Sequence, residues 1–142
     1  MRKTRYVLPV VAGVMSGMIL QVLGEKLIHV IFPAPAGLDL QNKEAIAVYM
    51  SQVPSVEFVF LLVNYAICSF VAGAVATFVV GREQRLPAII VGSLITLGEV
   101  VNVVTIPQPI WFSALSLLSH LPMALLAYKV FGRPVSHENL AS

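Results

Sequence analysis

Charged residues are scarce in this chain: Asp, Glu, Lys and Arg make up 11% of its 142 residues, under half of the ~25% usual in soluble domains. Cysteine is nearly absent. The single Cys68 excludes an intramolecular disulfide framework and any Cys-x-x-Cys redox or zinc site. Histidine occurs three times and never as His-Glu-x-x-His. There is also no Gly-x-x-x-x-Gly-Lys phosphate loop and no nucleophile elbow. The net charge of +2 is too weak and too scattered for a nucleic-acid footprint. No cofactor, metal or nucleic-acid partner is therefore expected.

What the chain has instead is apolar length. Hydrophobic residues reach 58% and the mean hydropathy is +0.87, more apolar surface than a soluble domain of this size can bury. Four stretches, about 6–32, 56–80, 86–106 and 110–131, are each long enough for a membrane span, which takes about 20 helical residues. The expected fold is all-α, an integral-membrane four-helix up-down bundle in one domain, 1–134, followed by a polar tail, 135–142. Short links at 81–85 and 107–109 force the last three spans to run antiparallel in sequence.

Orientation follows from basic residues, which are retained on the cytoplasmic side. Arg2, Lys3, Arg5, Arg82, Arg85, Lys129 and Arg133, seven of the nine, fall at one end; Lys43 falls at the other and Lys26 near it. Both termini are thus expected in the cytoplasm, with Trp111 at the outer interface and Tyr6 and Tyr128 at the inner one. The first apolar run is too long for a signal-peptide core and is expected to remain as an uncleaved helix. In the long outer loop, Asn42 and Glu44 make a helix start. Ile46, Tyr49, Met50 and Val53 follow at helical spacing, so a short interfacial helix is expected there.

Ionisable residues inside spans are costly and usually face the bundle interior, so they are the first place to look for function. Counted from the cytoplasmic end at ~1.5 Å per residue, Glu25 lies about 28 Å in, His29 about 34 Å and Glu99 about 20 Å; His120 lies near the midplane. Asn64 and Asn102 fall in the outer half. A haem shared between His29 and His120 is excluded, because their depths differ by about 19 Å. Gly17, Gln21, Glu25 and His29 recur every four residues and form one slowly rotating stripe on the first span. Gly92, Thr96 and Glu99 share a face of the third span. The candidate pocket residues are therefore Glu25, His29, Glu99, Asn102, His120, Gln21 and Asn64, expected around an outward-opening cavity between the first, third and fourth spans. Small residues, Gly13-x-x-x-Gly17 on the first span and Ser69, Ala72, Gly73, Ala76 and Thr77 on the second, predict close helix packing within the bundle. Pro122 predicts a kink just beyond His120.

The pattern Glu25…His29-x-x-Phe32-Pro33-x-Pro35-x-Gly37-x-Asp39, Glu44-Ala45…Tyr49-Met50…Pro54 and Glu99-x-x-Asn102…Pro107-x-Pro109-x-Trp111-Phe112 resembles a family of small, uncharacterised four-span bacterial inner-membrane proteins. The resemblance covers most of the chain and implies topology, with no activity attached. Composition and motifs together lead to a non-enzymatic accessory or scaffolding bundle in the bacterial cytoplasmic membrane, its partners the lipid bilayer and a second membrane protein or a homodimeric copy. The alternative expectation is a small transporter or proton-linked carrier using Glu99 and His120.

Overall fold

The computed structural model describes residues 4–133; the expected polar tail lies outside them. After a 3-10 turn at Thr4–Tyr6, five helices follow: α1 (Val7–Ile31), α2 (Lys43–Gln52), α3 (Ser55–Val80), α4 (Leu86–Thr105) and α5 (Ile110–Phe131). α1, α3, α4 and α5 are long and apolar enough to cross a membrane. Among the described residues the chain is all-helical, as the composition implies.

Proline and local capping set the boundaries. α1 stops before Pro33, with the Phe32 amide closing the last turn on the Ile28 carbonyl. α2 starts where the Asn42 side chain accepts from the Glu44 and Ala45 amides at 3.0 and 3.2 Å, satisfying amides that have no partner within the helix. It ends at Val53, extended as a residue before proline must be. α3 ends on Gly81, whose φ of 101° places it in the left-handed region that glycine enters without steric cost. The Arg82 amide then reaches back to the Thr77 carbonyl at 2.9 Å, closing a Schellman-type end. α4 and α5 are separated only by Ile106 to Pro109, where Pro107 and Pro109 prevent continuation. α5 runs through Pro122 as one helix.

α3 is the centre of the bundle. It packs against α1, α4 and α5, whereas α1 and α5 occupy opposite corners and α4 closes the fourth side. The cause is the small-residue face expected from the sequence: Ser69, Ala72, Gly73, Ala76 and Thr77 are all buried. A Cβ placed on Gly13 of α1 would stand 2.7 Å from the Ala72 carbonyl oxygen, and one on Gly73 would stand 2.5 Å from that of Ala124 on α5. Backbones thus touch on both sides of α3, the means by which helices associate in a solvent as apolar as their own side chains.

Two apolar clusters extend this packing. Ala72, Ala76 and Val91 form one with Val10, Val14 and Ile95. Phe58, Tyr65 and Phe112 form the other, and Met50 of α2 and Val53 beyond it rest upon it. α2 therefore lies over the aromatic end of the bundle. At the opposite end Arg82 Nε donates to the Phe131 carbonyl at 2.7 Å, and the Arg133 amide donates to the Arg82 carbonyl at 2.7 Å. Tyr6 donates to the side-chain oxygen of Gln84, so the 81–85 link holds the ends of α1 and α5. Leu8, Leu97, Val104 and Leu118 expose 63 to 82% of their surface around the bundle, the outward face that lipid requires. The protein is an integral membrane helical bundle.

Candidate functional site

The α1 stripe illustrates how helical geometry distributes polar groups. Residues four apart are displaced by about 40° around the axis, so the stripe leaves the interface as it climbs. Gly17 is buried on Ala72. Gln21 and Glu25 are half-buried: the Gln21 carbonyl accepts from Asn64 Nδ2 of α3 at 3.4 Å, and Gln21 Nε2 donates to Glu25 Oε1 at 3.1 Å. His29 has turned to the exterior, where its Nδ1–H donates to the Glu25 carbonyl at 2.8 Å. The expectation that His29 faces an interior pocket is corrected by this rotation. Cys68 Sγ lies 3.6 Å from Asn64 Oδ1, so Gln21, Glu25, Asn64 and Cys68 make a polar seam between α1 and α3.

A second group lies deeper, between α3, α4 and α5. Glu99 is 6% exposed; its Oε1 accepts from Ser116 Oγ at 2.7 Å and its Oε2 from Asn102 Nδ2 at 3.3 Å. One turn along α5 from Ser116, His120 Nδ1 is bonded to Ser69 Oγ of α3 at 2.7 Å. Tyr65, one turn from Ser69, stands with its ring centroid 5.8 Å from that of His120, and its hydroxyl lies beside Asn102. Ser69, Ser116, His120, Tyr65 and Glu99 are all buried. His120 Nε2 is buried with no hydrogen-bond partner.

The seven sequence candidates are thus divided between two places. Glu99, Asn102 and His120 are brought together; Gln21, Glu25 and Asn64 lie on the α1–α3 seam, and His29 lies outside both. The cavity expected between the first, third and fourth spans is replaced by a packed cluster between the second, third and fourth, because α3 stands between α1 and α5. Two open grooves, of about 490 and 450 Å³, lie along α1 at Glu25, Lys26 and His29 and between the outer loop and α2. Neither is lined by Glu99 or His120.

Sequence reasoning missed Tyr65, Ser116 and the hydrogen-bonding role of Ser69. The signal was present for two of them: Ser116 precedes His120 by four residues and Tyr65 precedes Ser69 by four, so each pair shares a helix face. It also missed Glu57, buried in the first turn of α3. Burial first, and that carboxylate second, hold the Tyr49 phenol of α2 above its usual value. Among the described residues no group of three or more His, Cys, Asp or Glu side chains is placed to hold a metal ion. The cluster offers hydroxyl, amide, carboxylate and imidazole groups, chemistry suited to hydrogen bonding and to proton exchange. Comparison with family models, with curated proteins and with solved structures finds no match.

Proposed function

We propose that this chain is a non-enzymatic accessory or scaffolding bundle of the bacterial cytoplasmic membrane, with both termini cytoplasmic and α2 outside. One observation carries the reading: the polar side chains of the seam and of the deeper cluster fasten helices to one another. Asn64 ties α3 to α1, Ser69 and His120 tie α3 to α5, and Ser116 and Glu99 tie α5 to α4. Orientation is supported by Arg5, Arg82, Arg85, Lys129 and Arg133 at one end against Lys43 at the other. The bacterial inner membrane is supported by the resemblance described above, and the expected partner is another membrane protein or a second copy of this chain.

In-cell crosslinking followed by purification tests the proposal. A stoichiometric membrane-protein or self-crosslinked product, with proteoliposomes that carry no proton current, supports the scaffold. Proton flux lost in a His120→Gln protein overturns it in favour of a proton-linked carrier. That second reading is favoured by one feature, the buried and unpartnered Nε2 of His120 in the same cluster as Glu99.

A further inference from the structure

α1 is the least covered of the four spans, and its outer third carries Lys26 and His29 exposed, with the half-buried Glu25 at the rim of the α1–α3 seam beside them. Val22, Glu25, Lys26, His29 and Val30 line the groove of about 490 Å³, at the spacing that places them on one side of a helix. Two of its polar side chains are held from within the helix. Gln21 Nε2 fixes Glu25 Oε1, and His29 is tied through Nδ1 to the Glu25 carbonyl. The opposite ring atom, Nε2, is thereby turned away from that carbonyl. Lys26 is exposed, and so are Val22 and Val30, at 51 and 78%.

Depth identifies what this face meets. At ~1.5 Å per residue Lys26 lies about 29 Å from Val7, where α1 begins, matching the ~30 Å thickness of a bilayer hydrocarbon core. Glu25, Lys26 and His29 therefore stand at the phosphate plane of the leaflet at that end. A carboxylate and an ammonium on adjacent residues complement a headgroup that itself carries both signs. The lipid phosphate falls to Lys26, its ammonium to Glu25 and His29 Nε2, and an acyl chain to Val22. A quaternary ammonium has no N–H to donate to Glu25, and an anionic glycerol headgroup meets that carboxylate with like charge.

We propose that this α1 groove is a binding site for a phospholipid with a primary-ammonium headgroup, of the phosphatidylethanolamine class. Native mass spectrometry of the full chain in detergent tests it, with phosphatidylethanolamine, phosphatidylcholine and phosphatidylglycerol of identical acyl chains added in turn. Phosphatidylethanolamine is expected to be retained about fivefold better than either, the ratio that one exposed charge-assisted contact sustains. Glu25→Gln is expected to remove that preference, Lys26→Ala to lower retention of all three lipids alike because each carries the phosphate, and Lys43→Ala in the outer loop to leave both intact. Equal retention of the three lipids, preference for phosphatidylglycerol, or a preference that survives Glu25→Gln overturns the proposal. So does displacement of the lipid by an equal concentration of soluble glycerophosphoethanolamine, which would make the site a receptor for the free headgroup.

Discussion

Gly73→Ala is the sharpest test of the packing described above. The new Cβ would lie 2.5 Å from the Ala124 carbonyl oxygen and 2.6 Å from its Cα. Both are backbone atoms of α5, so no rotamer change relieves the contact. The helices must instead part by about 1 Å to restore van der Waals distance. Overpacking of this kind costs about 1–3 kcal/mol. Parting α3 from α5 also lengthens the Ser69–His120 bond, 2.7 Å in the native packing, whose loss adds about 0.5–1.5 kcal/mol. Gly98→Ala is the control, because nothing stands within 4 Å of a Cβ at that exposed site on α4, and alanine there gains up to about 1 kcal/mol of helix propensity. Equilibrium unfolding in mixed micelles, followed by circular dichroism as the denaturing detergent fraction rises, should separate the two proteins by about 1.5–4.5 kcal/mol, the sum of the overpacking and hydrogen-bond costs, the propensity gain being common to both. If Gly73→Ala and Gly98→Ala unfold together, backbone contact at α3–α5 is not what holds the bundle, and the argument for α3 as its centre fails.

The remaining expectations are smaller in scope. In a Cys68→Ser background, Gln41→Cys is expected to react with an impermeant thiol reagent added to intact cells and Glu83→Cys only after permeabilisation; the reverse pattern inverts the proposed orientation. Asn42→Ala removes the cap of α2 and should cost about 1 kcal/mol, read as faster hydrogen exchange at the Glu44 and Ala45 amides with the spans unaffected. Ser116→Ala leaves Glu99 Oε1 buried without its donor and should destabilise by about 1–3 kcal/mol. Combining it with Glu99→Gln should show a coupling of more than about 0.5 kcal/mol, and strict additivity would remove the Ser116–Glu99 bond from the account.

Much of the architecture was legible because membrane spans advertise themselves by length and apolarity, and because prolines at Pro33, Pro54, Pro107 and Pro109 delimit them. The Asn42 cap and the small face of α3 were equally visible, being local patterns with local causes. The arrangement of the candidate site was less so. Depth along each span followed from counting residues, but rotation about the helix axis did not, and rotation is what sent His29 outside while keeping Gly17 against Ala72. Nor does a sequence reveal which spans are diagonal. Only the backbone contacts at Gly13 and Gly73 place α3 between α1 and α5, which moves Glu99 and His120 away from the α1 polar seam.

The distribution of polar contacts carries the functional argument further than any single residue. Helices in lipid gain nothing from a hydrophobic effect between them, so packing and interhelical hydrogen bonds must hold them. Here the bonds are shared out, with Asn64 to Gln21 joining α3 to α1, Ser69 to His120 joining α3 to α5, and Ser116 to Glu99 joining α5 to α4. A substrate site leaves polar groups open to one space, whereas these lie in a seam and a packed cluster where, His120 Nε2 apart, the groups named here are already bonded across three helix pairs. Fastening explains that pattern with one cause. What fastening alone does not use is the second nitrogen of His120, since one nitrogen suffices to bond Ser69 and burying the other costs about 1–3 kcal/mol. A bundle built only for cohesion would do as well with an asparagine or a serine at that position, so His120 is the residue at which the scaffold and carrier readings part.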